Sequence, residues 1–141
     1  MINTRIDIAL ACGADGDHLR SDDISAAHAR AVWLKAAAVR DSGLGTHDCL
    51  IACSCHTASD VRRAESEGAD FVVFAPVFEK GGQRGVGLEA LRAACRQEPS
   101  PAVNLPVLAL GGVTLDNAQA CLEDHPGYCV ITSTMGGEGS G

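Results

Sequence analysis

Two adjacent glycines, Gly111 and Gly112, stand where an apolar run over 106–110 gives way to the start of a helix. Lacking side chains, glycines at the C-terminal end of a strand let backbone N–H groups approach an anion closely, and the helix start adds N–H groups of its own. Such a junction suits the binding of a small phosphorylated ligand; the other reading is a tight strand-to-helix turn. A second polar group is Ser54 and His56, which alternate with Cys53 and Cys55. Alternate residues of a strand point to opposite faces, so the polar pair shares one face and the cysteines the other. That split argues against a Cys53/Cys55/His56 metal site, and no second ligand cluster stands at zinc spacing. His56 reads equally as a hydrogen bonder at a helix entry. Third, residues 79–85 set Lys80 and Arg84 among glycines. Two cations on such a loop suit closure on an anion; a mobile solvated loop is the alternative.

The elements that must position these groups alternate in type. A helix is predicted over 5–12, closed by Gly13, then a brief strand over 17–19. The clearest helix is 24–40, with Asp22 or Asp23 to cap its start and Gly43 just past its end. Ile24, Ala27, Ala31, Leu34 and Ala38 fall at helical spacing and form its apolar stripe. A strand over 50–54 follows, then a helix over 59–67 with Thr57 as N-cap and Gly68 as stop. Residues 71–74 form a strand of the fully buried kind. After the glycine-rich loop 81–87 come a helix over 88–96 ended by Pro99 and Pro101, a strand over 107–110, a helix over 117–123 and a strand over 129–131. Gly13-Ala14-Asp15 and Gly68-Ala69-Asp70 repeat one joint, in which glycine stops a helix and the chain enters the sheet. The pattern predicts an α/β fold, a parallel sheet with crossover helices whose C-terminal loops face one anion.

Composition narrows the partners. The chain has 141 residues, 46% hydrophobic and 21% charged, an ordinary globular balance. Aromatic residues make up 4%, so the core is built from small aliphatic side chains. A net charge of -7 argues against general nucleic-acid or anionic-membrane binding, without excluding a local cationic pocket. No run approaches the roughly 18 apolar residues of a membrane span, and the N-terminus lacks a signal peptide's apolar core. A cytoplasmic location is expected. The seven cysteines are then small buried hydrophobes rather than disulfide partners. His18, His28, His47 and His125 show no partner pattern and are assigned to surface or core, and Trp33 to packing.

The segments 2–10, Gly13-Ala14-Asp15-Gly16 with His18-Leu19, Asp22-Asp23, Ser54-Cys55-His56-Thr57, Gly68-Ala69-Asp70, Pro76-Val77-Phe78 and 111–117 come in an order and spacing that resembles the thiamine-phosphate synthases and their relatives, the thiazole tautomerases. The resemblance runs nearly end to end. It implies a TIM-type (βα) barrel, in which loops after the last strands commonly hold phosphate. It implies joining of hydroxymethylpyrimidine diphosphate to thiazole phosphate with Mg²⁺ help and release of pyrophosphate. Gly111, Gly112, Ile131 and Thr132 match the thiazole-phosphate pocket. Ser54 matches a substrate-contacting serine and Asn3 a substrate-binding asparagine. Asp23 matches one Mg²⁺ carboxylate, where a helix cap is the competing role; the other carboxylate falls at Thr4. Lys80 and Arg84 lie where the synthases hold pyrophosphate on a Thr-x-Thr-Lys loop whose threonines are gone here. A histidine of the tautomerases falls at Pro76, and the Gln-x-Arg-x-Lys clamp of the family's second strand has no counterpart. Asp116 and Asn117 are helix-cap residues.

A full barrel needs at least about 200 residues. Aligned on the family, Met1 falls at the end of the third strand and the chain stops after the eighth. The expectation is an incomplete barrel over 1–135, missing about the first two strands and the last helix, with 136–141 a frayed Gly-rich tail. Such a sheet leaves open edges and an apolar inner face, so a symmetric homodimer is expected to cover it. A phosphate-binding module without turnover, or a tautomerase-like relative, is the alternative to an active synthase.

Overall fold

The computed structural model describes residues 1–39, 49–79, 81–82, 84–96, 105–123 and 129–131. Strands and helices alternate: β1 (Ile2–Asn3), α1 (Ile6–Ala11), β2 (Gly16–Leu19), α2 (Ala26–Val39), β3 (Leu50–Cys55), α3 (Ala58–Ser66), β4 (Phe71–Phe74), α4 (Leu88–Cys95), β5 (Val107–Ala109), α5 (Leu115–Leu122) and β6 (Cys129–Ile131). The six strands pair in chain order and all are parallel. Parallel neighbours in chain order require each helix to be a crossover, as the alternation predicts. Gly43, Pro99, Pro101, His47, His125, Lys80, Thr132 and the tail 136–141 lie outside the described residues.

Register sorts the side chains into two layers. Cys53 pairs Val72 and Cys55 pairs Phe74, which pair Val107 and Ala109 in turn. With Ile51 and Leu19 these face the helices and, apart from half-buried Cys53, form the buried core with Val61, Ala64, Leu91 and Ala94. Each large aliphatic removed from water there contributes about 1.5–3 kcal/mol. The other face carries His18, Ser54, Val73 and Leu108, all half-buried. Asp17 is the exception among the helix-facing residues. It sits in register between Ile2 and Ile51, 1% exposed, and neither carboxyl oxygen has a hydrogen-bond partner among the described residues. Burial pushes its carboxyl above the usual carboxylate range, the nearby backbone N–H of His18 offsetting this in part.

The two glycine joints fold alike. Gly13 (φ 68) and Gly68 (φ 81) take the left-handed conformation. Behind them the N–H groups of Ala14 and Ala69 reach back to the Ala9 and Ala64 carbonyls, at 2.9 and 3.0 Å. Asp70 then accepts from the Ile51 N–H (2.7 Å) and from Arg30 Nη2 (2.9 Å). The same guanidinium donates to the Gly68 carbonyl (2.8 Å) and the Cys49 carbonyl (3.2 Å).

That clamp overturns the expected stripe of α2. Ile24, Ala27, Ala31, Leu34 and Ala38 are exposed, and the buried face is Ala26 and Ala29, with Trp33 packed beside them. An alanine-rich helix has little contrast between its faces, so Arg30 and the Glu67 carboxylate, which accepts the Ala26 N–H at 3.2 Å, set its rotation. The expected cap is also corrected. Ser25 Oγ accepts the His28 N–H (3.2 Å) at the start of α2. The Asp23 carboxylate instead accepts the Arg20 N–H (2.6 Å) and closes the preceding turn. Thr57 caps α3 in a capping box with Asp60, as expected. A like box between Thr114 and Asn117 starts α5 at Leu115, two positions earlier than its apolar pattern suggests. Cys49, Cys55, Cys95 and Cys121 are buried hydrophobes; Cys12 is exposed, because α1 ends there and the chain turns outward through Gly13.

Candidate functional site

The C-terminal ends of parallel strands share one rim, and the polar groups singled out from the sequence gather there. Ser54, next to last in β3, places Oγ 2.9 Å from His18 Nε2 on β2. Burial lowers the pKa of His18, with Asp17 and Asp23 opposing in part, so the imidazole is neutral near pH 7. A neutral imidazole can accept the serine proton or donate to the hydroxyl, according to its tautomer. Asn3 pairs His18 in register, so it lies on the same face. Just beyond it, Thr4 takes φ 65, an uncommon conformation for a β-branched residue, and donates its N–H to the His18 carbonyl. His18 thus has a partner that its sequence surroundings do not reveal; the signal is the parallel register between β2 and β3.

His56 does not join Ser54. β3 ends at Cys55, and the ring turns toward β4, where Nδ1 lies 2.5 Å from the Ala75 carbonyl oxygen. Cys53 and Cys55 lie in the helix-facing layer, where burial pushes their thiols to about 11 and about 12. Both remain protonated near neutral pH, and among the described residues no group of three metal-ligating side chains occurs.

The glycine pair follows β5. Gly111 (φ 97) and Gly112 (φ 64) take conformations that disfavour a side chain. A Cβ at 111 would fall 2.7 Å from Pro76 Cα, and one at 112 would fall 2.8 Å from the Glu79 carbonyl oxygen. Their close approach to the β4–α4 loop is recorded in hydrogen bonds. The Leu110 carbonyl accepts from Val77 N–H (2.9 Å), the Gly111 carbonyl from Phe78 N–H (3.0 Å), and the Gly112 carbonyl from Asn117 Nδ2 (3.0 Å). The carbonyls are engaged, while the N–H groups of Gly111 and Gly112 have no acceptor among the described residues. Consecutive donors at a strand end leading to a helix start can hold an anion. Ser54 lies two strands away on the same rim, about 10 Å by strand spacing. β6 runs parallel beside β5, so Ile131 ends at this rim too.

The loop after β4 is fixed at its base. Val86 and Gly87 donate their N–H groups to the Pro76 and Val77 carbonyls, and a Cβ on Gly85 would fall 2.3 Å from the Val77 carbonyl oxygen. Arg84 is exposed on this loop. Asp23 lines a cavity of about 120 Å³ with Arg20, Cys53, Ser54 and Arg63. It is the single carboxylate that the resemblance assigns to magnesium, one of its oxygens already holds the Arg20 N–H, and Thr4 brings no charge. These residues do not make a resident Mg²⁺ site.

Residues 1–133 match the sequence profile of the family described as thiamine monophosphate synthase. A thiamine-phosphate synthase of Halalkalibacterium halodurans is 31% identical over 98% of this chain and 60% of its own length. One from Chlorobium phaeovibrioides is 36% identical over 94% of this chain and 58% of its own length. The solved thiamine phosphate pyrophosphorylase of Pyrococcus furiosus superposes with a TM-score of 0.68 at 31% identity, over 96% of this chain and 58% of that one. The chain therefore spans about three-fifths of the length of these relatives.

Proposed function

The chain belongs to the thiamine monophosphate synthase family, and on that premise we propose that its C-terminal rim binds thiazole phosphate for joining to hydroxymethylpyrimidine diphosphate. The observation that carries this reading is the glycine loop at a strand end, whose carbonyls are engaged and whose N–H groups have no acceptor among the described residues. The phosphate sits on Gly111 and Gly112, flanked by Ile131 and Thr132. The thiazole ring extends toward Ser54, held by His18, and toward Asn3.

In the proposed reaction the bond between the pyrimidine methylene carbon and the diphosphate oxygen breaks, and its electron pair leaves with pyrophosphate. The thiazole nitrogen supplies the pair for the new carbon–nitrogen bond. Ser54 and Asn3 contact the pyrimidine diphosphate, and Lys80 and Arg84 meet its charge. Mg²⁺ bound to the diphosphate itself, rather than resident in the protein, would neutralise the leaving pyrophosphate, with Asp23 the carboxylate that would meet it. The open inner face of the sheet is covered by a second copy in a homodimer. A phosphate-binding module without turnover is the second reading, favoured by Thr4 standing where the family has a carboxylate.

Thermal unfolding with and without thiazole phosphate tests the binding step. Ligand at 100 times its Kd adds about 2.7 kcal/mol to stability. The expected result is a rise in Tm that Gly112→Val abolishes; an unchanged rise in that variant contradicts the assignment. Turnover with both substrates and Mg²⁺ then separates the synthase from the binding module.

A further inference from the structure

The β4–α4 loop is tied on two sides. On one side the N–H groups of Val77 and Phe78 bond to the Leu110 and Gly111 carbonyls, and Gly111 packs directly on Pro76. On the other side the tie is His56. Its Nδ1 lies 2.5 Å from the Ala75 carbonyl oxygen, directly before Pro76. A carbonyl oxygen only accepts, so Nδ1 carries the proton. The His56 backbone N–H donates to Asp60 Oδ2 (3.0 Å), the same carboxylate that accepts from Thr57 in the cap of α3. A continuous set of contacts thus runs from the first turn of α3 through His56 and Ala75 to Pro76, and from there to the glycine pair.

We propose that His56 is a positioning residue for the phosphate loop, acting through Ala75 and Pro76 rather than on the ligand. This rests on the phosphate reading of Gly111 and Gly112. The two ring nitrogens give the proposal its test. Asparagine at 56 places an amide N–H near the position of Nδ1 and keeps the bond to Ala75. Glutamine reaches toward the position of Nε2 and does not.

The experiment is isothermal titration of the full chain with thiazole phosphate and with inorganic phosphate, for wild type, His56→Ala, His56→Asn and His56→Gln. Amide exchange at Val77 and Phe78 is followed in the ligand-free chain. His56→Ala is expected to weaken binding about tenfold, the worth of one such hydrogen bond, and to speed exchange at both amides. His56→Asn restores both and His56→Gln neither. Rescue by glutamine instead of asparagine, wild-type affinity in all variants, or unchanged exchange in His56→Ala overturns the proposal. Failure of the wild type to bind either probe overturns the phosphate reading separately, and the exchange data still decide whether His56 holds the loop.

Discussion

The two rims of the sheet use polar groups in opposite ways. At the N-terminal rim Arg30, Asp70 and the joints at Gly13 and Gly68 bond to one another and to strand ends. The donors and acceptors there are spent on holding α2, α3, β3 and β4 together. At the C-terminal rim the Ser54–His18 pair, the Gly111 and Gly112 N–H groups and exposed Arg84 have bonding capacity left over among the described residues. One rim is held closed by its own bonds, and the other is the one to which the proposed phosphate site belongs. That division is what parallel (βα) architecture permits, because all C-terminal loops emerge on one side.

Substitutions should separate the two rims. Asp70→Ala has the largest expected effect on folding. It removes the acceptor of the Ile51 N–H and one partner of Arg30, which keeps the Gly68 and Cys49 carbonyls, and urea unfolding should show a loss of about 2 kcal/mol, scaled down because the pair is about a third exposed, with ligand Kd unchanged. A matching loss of affinity would break the comparison. Ser54→Ala does the reverse. It should cost about tenfold in thiazole phosphate affinity or turnover while stability falls by about 1 kcal/mol or less, since one hydrogen bond to His18 is lost. A collapse of stability instead would move Ser54 to the structural side.

Asp17 belongs to neither rim and sharpens the contrast. Its folded pKa is raised, so its contribution to stability is complete below the unfolded value near 4 and is lost as pH rises through the folded value. Asp17→Asn should flatten that slope and raise stability at pH 8 by about 1 kcal/mol. An equal slope in the variant means that another group carries it.

His18 gives the smallest and opposite dependence. Its pKa is lowered, so stability is complete above about 6.5 and is lost as pH falls through the folded value. His18→Asn should remove this acid limb from the unfolding profile; a limb that persists assigns it elsewhere.

Legibility in the sequence followed the range of each interaction. Helix stops and caps act within four residues, and Gly13, Gly68 and Thr57 were readable for that reason. So was the parallel order, because alternation with crossover helices leaves few other topologies. The facing of α2 was not readable, since alanine dominates the helix and the deciding contacts come from Glu67 and Asp70. Nor was the bond between His18 and Ser54, which depends on the register of two strands 36 residues apart. The glycine pair stood out locally, but its close packing on Pro76 needed the neighbouring strand. The roles given to Lys80 and Thr132 rest on resemblance alone, since both lie outside the described residues.

The most direct test is a two-dimensional amide NMR titration of the full chain with thiazole phosphate, comparing four glycines. Saturable shifts at Gly111 and Gly112, with Gly13 and Gly68 unmoved, are what the account predicts. Equal movement at both rims, or none at Gly111 and Gly112 at saturating ligand, would contradict it.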